Sequence, residues 1–199
     1  PVLMAQQALT AHIATRGRLS LGLGVAHPET VPLIWGRAYD KPAKFMREYL
    51  GALLPLLNDY RVDYAGDMVT TQAKLEFEKI TPPRVLIAAL GPLMLRLAGS
   101  MTDGTVLFLT GPKTIQSHIL PHLKSASEQA GAHNMPRIIA VLPICITNKP
   151  NLARESASRI FESYSNLVNY RRMLEIEGVA DPSGVALIGN EEEVEDQLR

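Results

Sequence analysis

The chain has 199 residues, 46% of them hydrophobic and 20% charged, with 20 Lys plus Arg set against 20 Asp plus Glu. That length suits one domain or a large part of one and buries a substantial core. The even charge balance recommends neither nucleic acid nor an anionic membrane as a partner, and no apolar run approaches spanning length.

The single cysteine, Cys145, excludes an internal disulfide and a Cys-rich metal site, and it suits a reducing cytosol. The N-terminus shows no basic segment leading into an apolar one, so no signal peptide is evident. The chain opens on Pro1 and "VLMAQQALTAHIA", a helix already in progress, as expected of a piece of a longer polypeptide.

Residues 2 to 14 place Val2, Leu3, Ala5, Ala8, Leu9 and Ile13 at helical spacing, and Gly17 ends that helix. A short, mostly apolar strand follows at 18–25. Asp40 and Pro42 signal a helix start, with Met46, Leu50, Leu53 and Leu57 along one face. Residues 58–79 read as a β-hairpin with Gly66 near its turn. Strand and helix then alternate: a strand at 85–90, a helix with Leu93, Leu97 and Met101 inward, a strand at 105–110, and a helix marked by Ile115, Ile119, Leu123, Ala126 and Ala130. A strand at 138–146 leads to one long helical stretch from about Leu152 to Glu177, then a strand at 185–189. Asn190 and Glu193 make a capping-box start for a last helix, whose acidic run Glu191–Glu193 fits a helix N-terminus. Strands with little polar alternation are those of a parallel sheet buried on both faces. The pattern is α/β, either open and doubly wound or a (β/α)8 barrel, in one domain without repeats.

Two features carry chemistry. In "LGLGVAH" (21–27), Gly22 and Gly24 remove side chains at a strand end, which permits close approach by a ligand or by a packed neighbour. It is no GxGxxG fingerprint, because no third glycine opens a helix. His27, just beyond, can serve as a proton donor, or it is a loop histidine beside Pro28. The other histidines (His12, His118, His122, His133) fit no metal triad and read as structural or solvated. Trp35 and Tyr39 line either an aromatic ring pocket or an ordinary hydrophobic lid. The second feature is the repeated Gly-Pro pair. Gly91-Pro92 and Gly111-Pro112 each follow a strand and open a helix, where free N–H groups and the helix dipole favour a phosphate or carboxylate. Lys113 adds a cation beside the second turn.

"GRLSLGLGVAH", "YDKPAKFMREYL" and "AALGPLMLRLAGSMTDGTVLFLTGP" together resemble the luciferase-like monooxygenase superfamily, and within it the oxidoreductases dependent on the deazaflavin coenzyme F420. The resemblance implies a (β/α)8 barrel, cytoplasmic and often dimeric, acting on a small organic molecule, with the ring system at the C-terminal mouth. It implies that Ala88, Ala89, Leu90, Gly91 and Pro92, with Thr110, Gly111, Pro112 and Lys113, line the cofactor's phosphate tail. Gly24, Val25 and Ala26 match the strand end beneath the ring. His27 falls where related enzymes can hold an acidic glutamate, so a proton-donor role is implied while the exact chemistry differs. The five strands counted here would be the fourth to eighth of eight, so that the sheet is expected to be curved and open. An FMN-dependent monooxygenase on the same scaffold and a non-catalytic barrel remnant are the other readings.

Overall fold

A computed structural model describes residues 1–131 and 135–199, so the reading of His133 lies outside the described residues. The first helix, α1 (Val2–Ala14), buries Ala5, Ala8 and Leu9 against the rest of the core. Leu3 and Ile13, at the same helical spacing, are exposed, whereas His12 is buried. Strand β1 (Ser20–Leu23) leads into a short helix α2 (Thr30–Trp35) and then α3 (Pro42–Asn58), whose buried stripe includes Met46, Leu50, Leu53 and Leu57. Strands β2 (Arg61–Ala65) and β3 (Thr70–Lys74) pair antiparallel, closed by the Gly66 N–H donating to the Val69 carbonyl.

The alternating part follows. β4 (Arg84–Ala88) precedes α4 (Pro92–Met101), and β5 (Gly104–Phe108) precedes a helical run of α5 (Pro112–Thr114), a π-helical turn at Ile115–Ile119 and α6 (Leu120–Gln129). In α4 the buried residues are Leu95, Leu97, Ala98 and Gly99, while Leu93, expected inward, is exposed. The helix leans on α6 through its Ala98–Gly99 side, where a Cβ on Gly99 would strike the Leu123 carbonyl. That contact sets the rotation of α4 and turns Leu93 outward.

The strand expected over 138–146 is two: β6 (Arg137–Val141) and β7 (Ile144–Ile146). Pro143 stands between them and has no N–H for a ladder. The expected long helix is likewise broken, into α7 (Pro150–Ile160), α8 (Glu162–Ser165) and α9 (Val168–Glu177), with Leu167 extended between the last two. At the break the Asn166 and Leu167 N–H groups donate to the Ser163 and Tyr164 carbonyls, closing a turn three residues long. Val185 ends a 3₁₀ turn (Pro182–Val185), so the final strand, β8, is only Leu187–Gly189. The last helix, α10 (Glu191–Gln197), opens on a complete capping box of Asn190 and Glu193.

β1, β4, β5 and β6 form one parallel sheet in that order, and β7 and β8 form a separate parallel pair. Among the described residues β1 and β6 are the edges of the four-stranded sheet, which is thus an open part of a barrel. Val85, Ile87, Ala89 and Leu107 face α3, α4 and α6 in the main core. The opposite face carries Gly22, Gly24, Ala88, Val106 and Phe108, which are exposed or half-buried. A Cβ on Gly22 would come within 3.9 Å of Val106 across the intervening β4, so the sheet curls around this second face.

Candidate functional site

Because β1, β4 and β5 run parallel, the segments after them emerge at one edge. His27 follows β1, Gly91 follows β4 and Gly111 follows β5. The two Gly-Pro turns therefore share a rim with His27.

The register sets Gly24 beside Ala88, and Ala88 beside Val106. A Cβ on Gly24 would sit 3.5 Å from the Ala88 Cβ, ordinary contact that would nonetheless fill the surface. At the ends of β1 and β4 the curved face thus carries only the Ala88 methyl, bordered by Val106 and Phe108 of β5. Nothing lies within 4 Å of a Cβ built on Gly91, so the first turn is open as well. Pro92 at the first position of α4 leaves the following N–H groups of the helix facing outward. His118 Nε2 donates to the Leu90 carbonyl at 2.9 Å and fixes the approach to this turn. Ala89 points into the core and offers the rim only its backbone.

The second turn differs. The backbone N–H groups of Lys113 and Thr114 donate to the Glu177 carboxylate, at 3.3 and 2.8 Å, and a Cβ on Gly111 would collide with that carboxylate. The anion expected at Thr110–Lys113 is thus supplied by the chain itself. Thr110 is buried and donates to the Phe108 carbonyl. Glu177 is detectable in sequence only as an acid at the end of a helix, before Gly178, where the dipole disfavours negative charge.

His27 is half-buried, and its carbonyl accepts the N–H groups of Thr30 and Val31 as α2 begins. Its ring meets Tyr164 edge-on at 6.2 Å and Tyr170 at 6.0 Å. Tyr164 in turn packs on Phe108 of β5 at 5.2 Å and on Tyr170 at 4.9 Å. The cluster joins the ends of β1 and β5 to α8 and α9. Nothing in the sequence marks it, because its members come from three distant stretches of the chain. Burial, with Tyr164 alongside, pushes the Tyr170 phenol up to about 12. Among the described residues no hydrogen bond engages the His27 ring nitrogens, which leaves them available for proton transfer.

Two residues at this rim are left-handed without being glycine: Ala26 (φ 57°), before His27, and Leu109 (φ 51°), after β5. Each costs about 1–2 kcal/mol and is held only by its surroundings. The Ala26 carbonyl accepts from the Tyr39 hydroxyl at 3.2 Å, and Leu109 is buried with its N–H on Val141. These two positions fix the direction in which the chain leaves β1 and β5. Beside it, Trp35 and Tyr39 line a cavity of about 470 Å³ reaching from Gly24 to Phe45 and Met68. Burial, with Glu29 near, pushes the Tyr39 phenol above its usual range.

A parallel, curved α/β sheet with a side-chain-poor rim at its strand C-termini defines a barrel-type enzyme fold. The luciferase-like monooxygenase family profile matches residues 1–199, and the chain belongs to that family. It is 27% identical over 174 residues to a 5,10-methylenetetrahydromethanopterin reductase of Methanolobus tindarius, covering 87% of this chain and 52% of that protein. To the reductase of the same name from Archaeoglobus fulgidus it is 33% identical over 117 residues, covering 58% and 35%. The chain therefore spans about half the length, or less, of these relatives. Among solved structures it resembles an F420-dependent secondary alcohol dehydrogenase in complex with an F420-acetone adduct (TM-score 0.78, 18% identity, 100% of this chain and 64% of that one). It also resembles the coenzyme F420 dependent tetrahydromethanopterin reductase of Methanopyrus kandleri (TM-score 0.74, 18% identity, 100% and 69%).

Among the described residues no helix is long and apolar enough to cross a membrane, and no group of three or more His, Cys, Asp or Glu is placed to hold a metal ion.

Proposed function

We propose that this chain forms the cofactor-facing part of an F420-dependent oxidoreductase acting on a small organic substrate. The observation that carries the reading is the side-chain-poor patch of Gly24 and Ala88 lying at the same rim as His27 and the open Gly91 turn. A flat ring system fits such a patch, since a side chain at Gly24 would occupy its place. When bound, the deazaflavin supplies hydride exchange with carbon, chemistry that belongs to the cofactor.

The residues here do the rest. Gly24, Val25 and Ala26 present backbone to one face of the ring. Leu90, Gly91 and Pro92 form the turn that bares the N–H groups following Pro92 in α4 to the phosphate tail, with Ala89 anchoring that turn in the core. Thr110 to Lys113 form the wall beside it, held by Glu177. His27 gives a proton to, or takes one from, the substrate oxygen as hydride moves at the adjoining carbon. The two similar structures, of an F420-dependent secondary alcohol dehydrogenase and a coenzyme F420 dependent reductase, support this reading. A cytoplasmic homodimer belongs to the same proposal.

Titrating the protein with F420 and with FMN, followed by absorbance and fluorescence, tests it. F420 should bind more tightly, and Gly91→Val should weaken that binding more than it lowers the unfolding midpoint. Tighter FMN binding would select the monooxygenase reading, and binding of neither would leave a non-catalytic barrel.

A further inference from the structure

The stretch "SHILPH" (117–122) sets two histidines four positions apart, the spacing that puts side chains on one helix face. Ile119 and Leu123, each one position further on, are fully buried. The histidine face therefore turns away from the core, with His118 half-buried and His122 exposed. Between them Pro121 has no N–H for an ordinary helical bond, and the helix widens just before it into the π-helical turn at Ile115–Ile119. Such turns are frequent at functional sites.

Each ring has a proton placed by a backbone carbonyl. His118 Nε2 donates to the Leu90 carbonyl at 2.9 Å, and His122 Nδ1 donates to the His118 carbonyl at 2.7 Å. A carbonyl only accepts, so in the neutral rings the lone pairs stand on His118 Nδ1 and His122 Nε2. Histidines that bind metals are oriented in this way, with the second ring N–H held by a carbonyl or carboxylate. The two ring centroids lie 4.8 Å apart, with the planes tilted by 57°. A metal about 2.1 Å from an imidazole nitrogen lies about 3.2 Å from that ring's centroid. Centroids 4.8 Å apart then meet at a shared metal at an angle of about 100°, between the octahedral and tetrahedral values.

We propose that His118 and His122 form a two-histidine site for a divalent cation of the nickel, copper and zinc group, bound through His118 Nδ1 and His122 Nε2. Imidazole suits these metals. Two protein ligands leave the remaining positions to water, so the site is open and exchangeable, unlike a closed structural centre. The nitrogen that His118 gives to the metal is not the one that holds Leu90, so the Gly91 turn keeps its support with the metal bound. The site stands apart from the strand-end rim and does not depend on the oxidoreductase reading.

The protein, free of any affinity tag and stripped of metal with a chelator, is titrated with nickel chloride by calorimetry. Saturable binding of one equivalent is expected. His122→Ala should weaken it at least about tenfold with an unchanged circular dichroism spectrum, since His122 is exposed and touches no core residue through its ring nitrogens. Nuclear magnetic resonance then locates the metal. Substoichiometric copper(II) should broaden the ring signals of His118 and His122 before those of His12 and His27. In the metal-free protein, proton–nitrogen correlation spectra should show His118 protonated at Nε2 and His122 at Nδ1. Absence of nickel binding, wild-type affinity in a folded His122→Ala protein, broadening that begins at another histidine, or the reverse tautomer in either ring would each overturn the proposal. Should the variant fail to fold, the order of broadening in the wild-type protein decides.

Discussion

The carboxylate of Glu177 accepts the backbone N–H of Thr114 at 2.8 Å across 63 positions of sequence, tying the end of α9 to the start of α5. The Thr114 hydroxyl returns the contact by donating to the Met173 carbonyl at 3.0 Å. An acid at a helix C-terminus is disfavoured by its own dipole, and here it is offset by the N-terminus of another helix.

Both Glu177 oxygens accept, Oε1 from Lys113 and Oε2 from Thr114. Glu177→Gln therefore turns an NH₂ toward one of the two N–H groups, and it should cost nearly as much as Glu177→Ala, about 2–3 kcal/mol. Urea unfolding measures both. A glutamine variant as stable as wild type would show that the charge and the second acceptor are unimportant.

Glu48 gives the contrasting case. It is buried, and its Oε2 alone accepts from both Met68 and Val69 N–H, at 2.7 and 3.0 Å, in the turn of the β2–β3 hairpin. A glutamine oxygen can replace that one atom, so Glu48→Gln should cost less than about 1 kcal/mol while Glu48→Ala costs about 2–4 kcal/mol. The unfolding midpoints, with amide exchange at Met68 and Val69, report the difference.

His27→Ala should lower turnover about a hundredfold with F420 affinity nearly unchanged, since a proton donor acts in the transition state. A variant that keeps the wild-type rate would reduce His27 to packing against Tyr164 and Tyr170.

Tyr170 sets an alkaline limit. Its folded value of about 12 is raised, so the neutral phenol is the favoured form in the folded chain. That contribution is fully present below the ordinary tyrosine value of about 10 and is lost as pH rises from there through the folded value. The fall in stability across this window should be smaller in Tyr170→Phe, measured by denaturant unfolding at a series of alkaline pH values. An identical slope in the two proteins would assign the loss to other groups.

What the sequence by itself determined is the local and periodic part. The order of parallel strands and helices, the Gly-Pro turns after β4 and β5, and the Asn190–Glu193 capping box all depend on residues a few positions apart, and their chemistry acts wherever the chain lies. Pro143 interrupts the strand expected over 138–146, a break that one missing N–H produces but that the apolar run around it masks. The tertiary structure decided everything that needed a distant partner. Leu93 faces outward because Gly99 must meet the Leu123 carbonyl. The Gly111 turn holds no open anion seat because Glu177, far along the chain, reaches it first. Ala26 and Leu109 accept a left-handed backbone that neither residue prefers, and His27 gains its aromatic neighbours only where α8 and α9 cross the rim. Burial energy and hydrogen bonds between remote segments exceed the small local preferences at those positions, and no short window of sequence contains both partners.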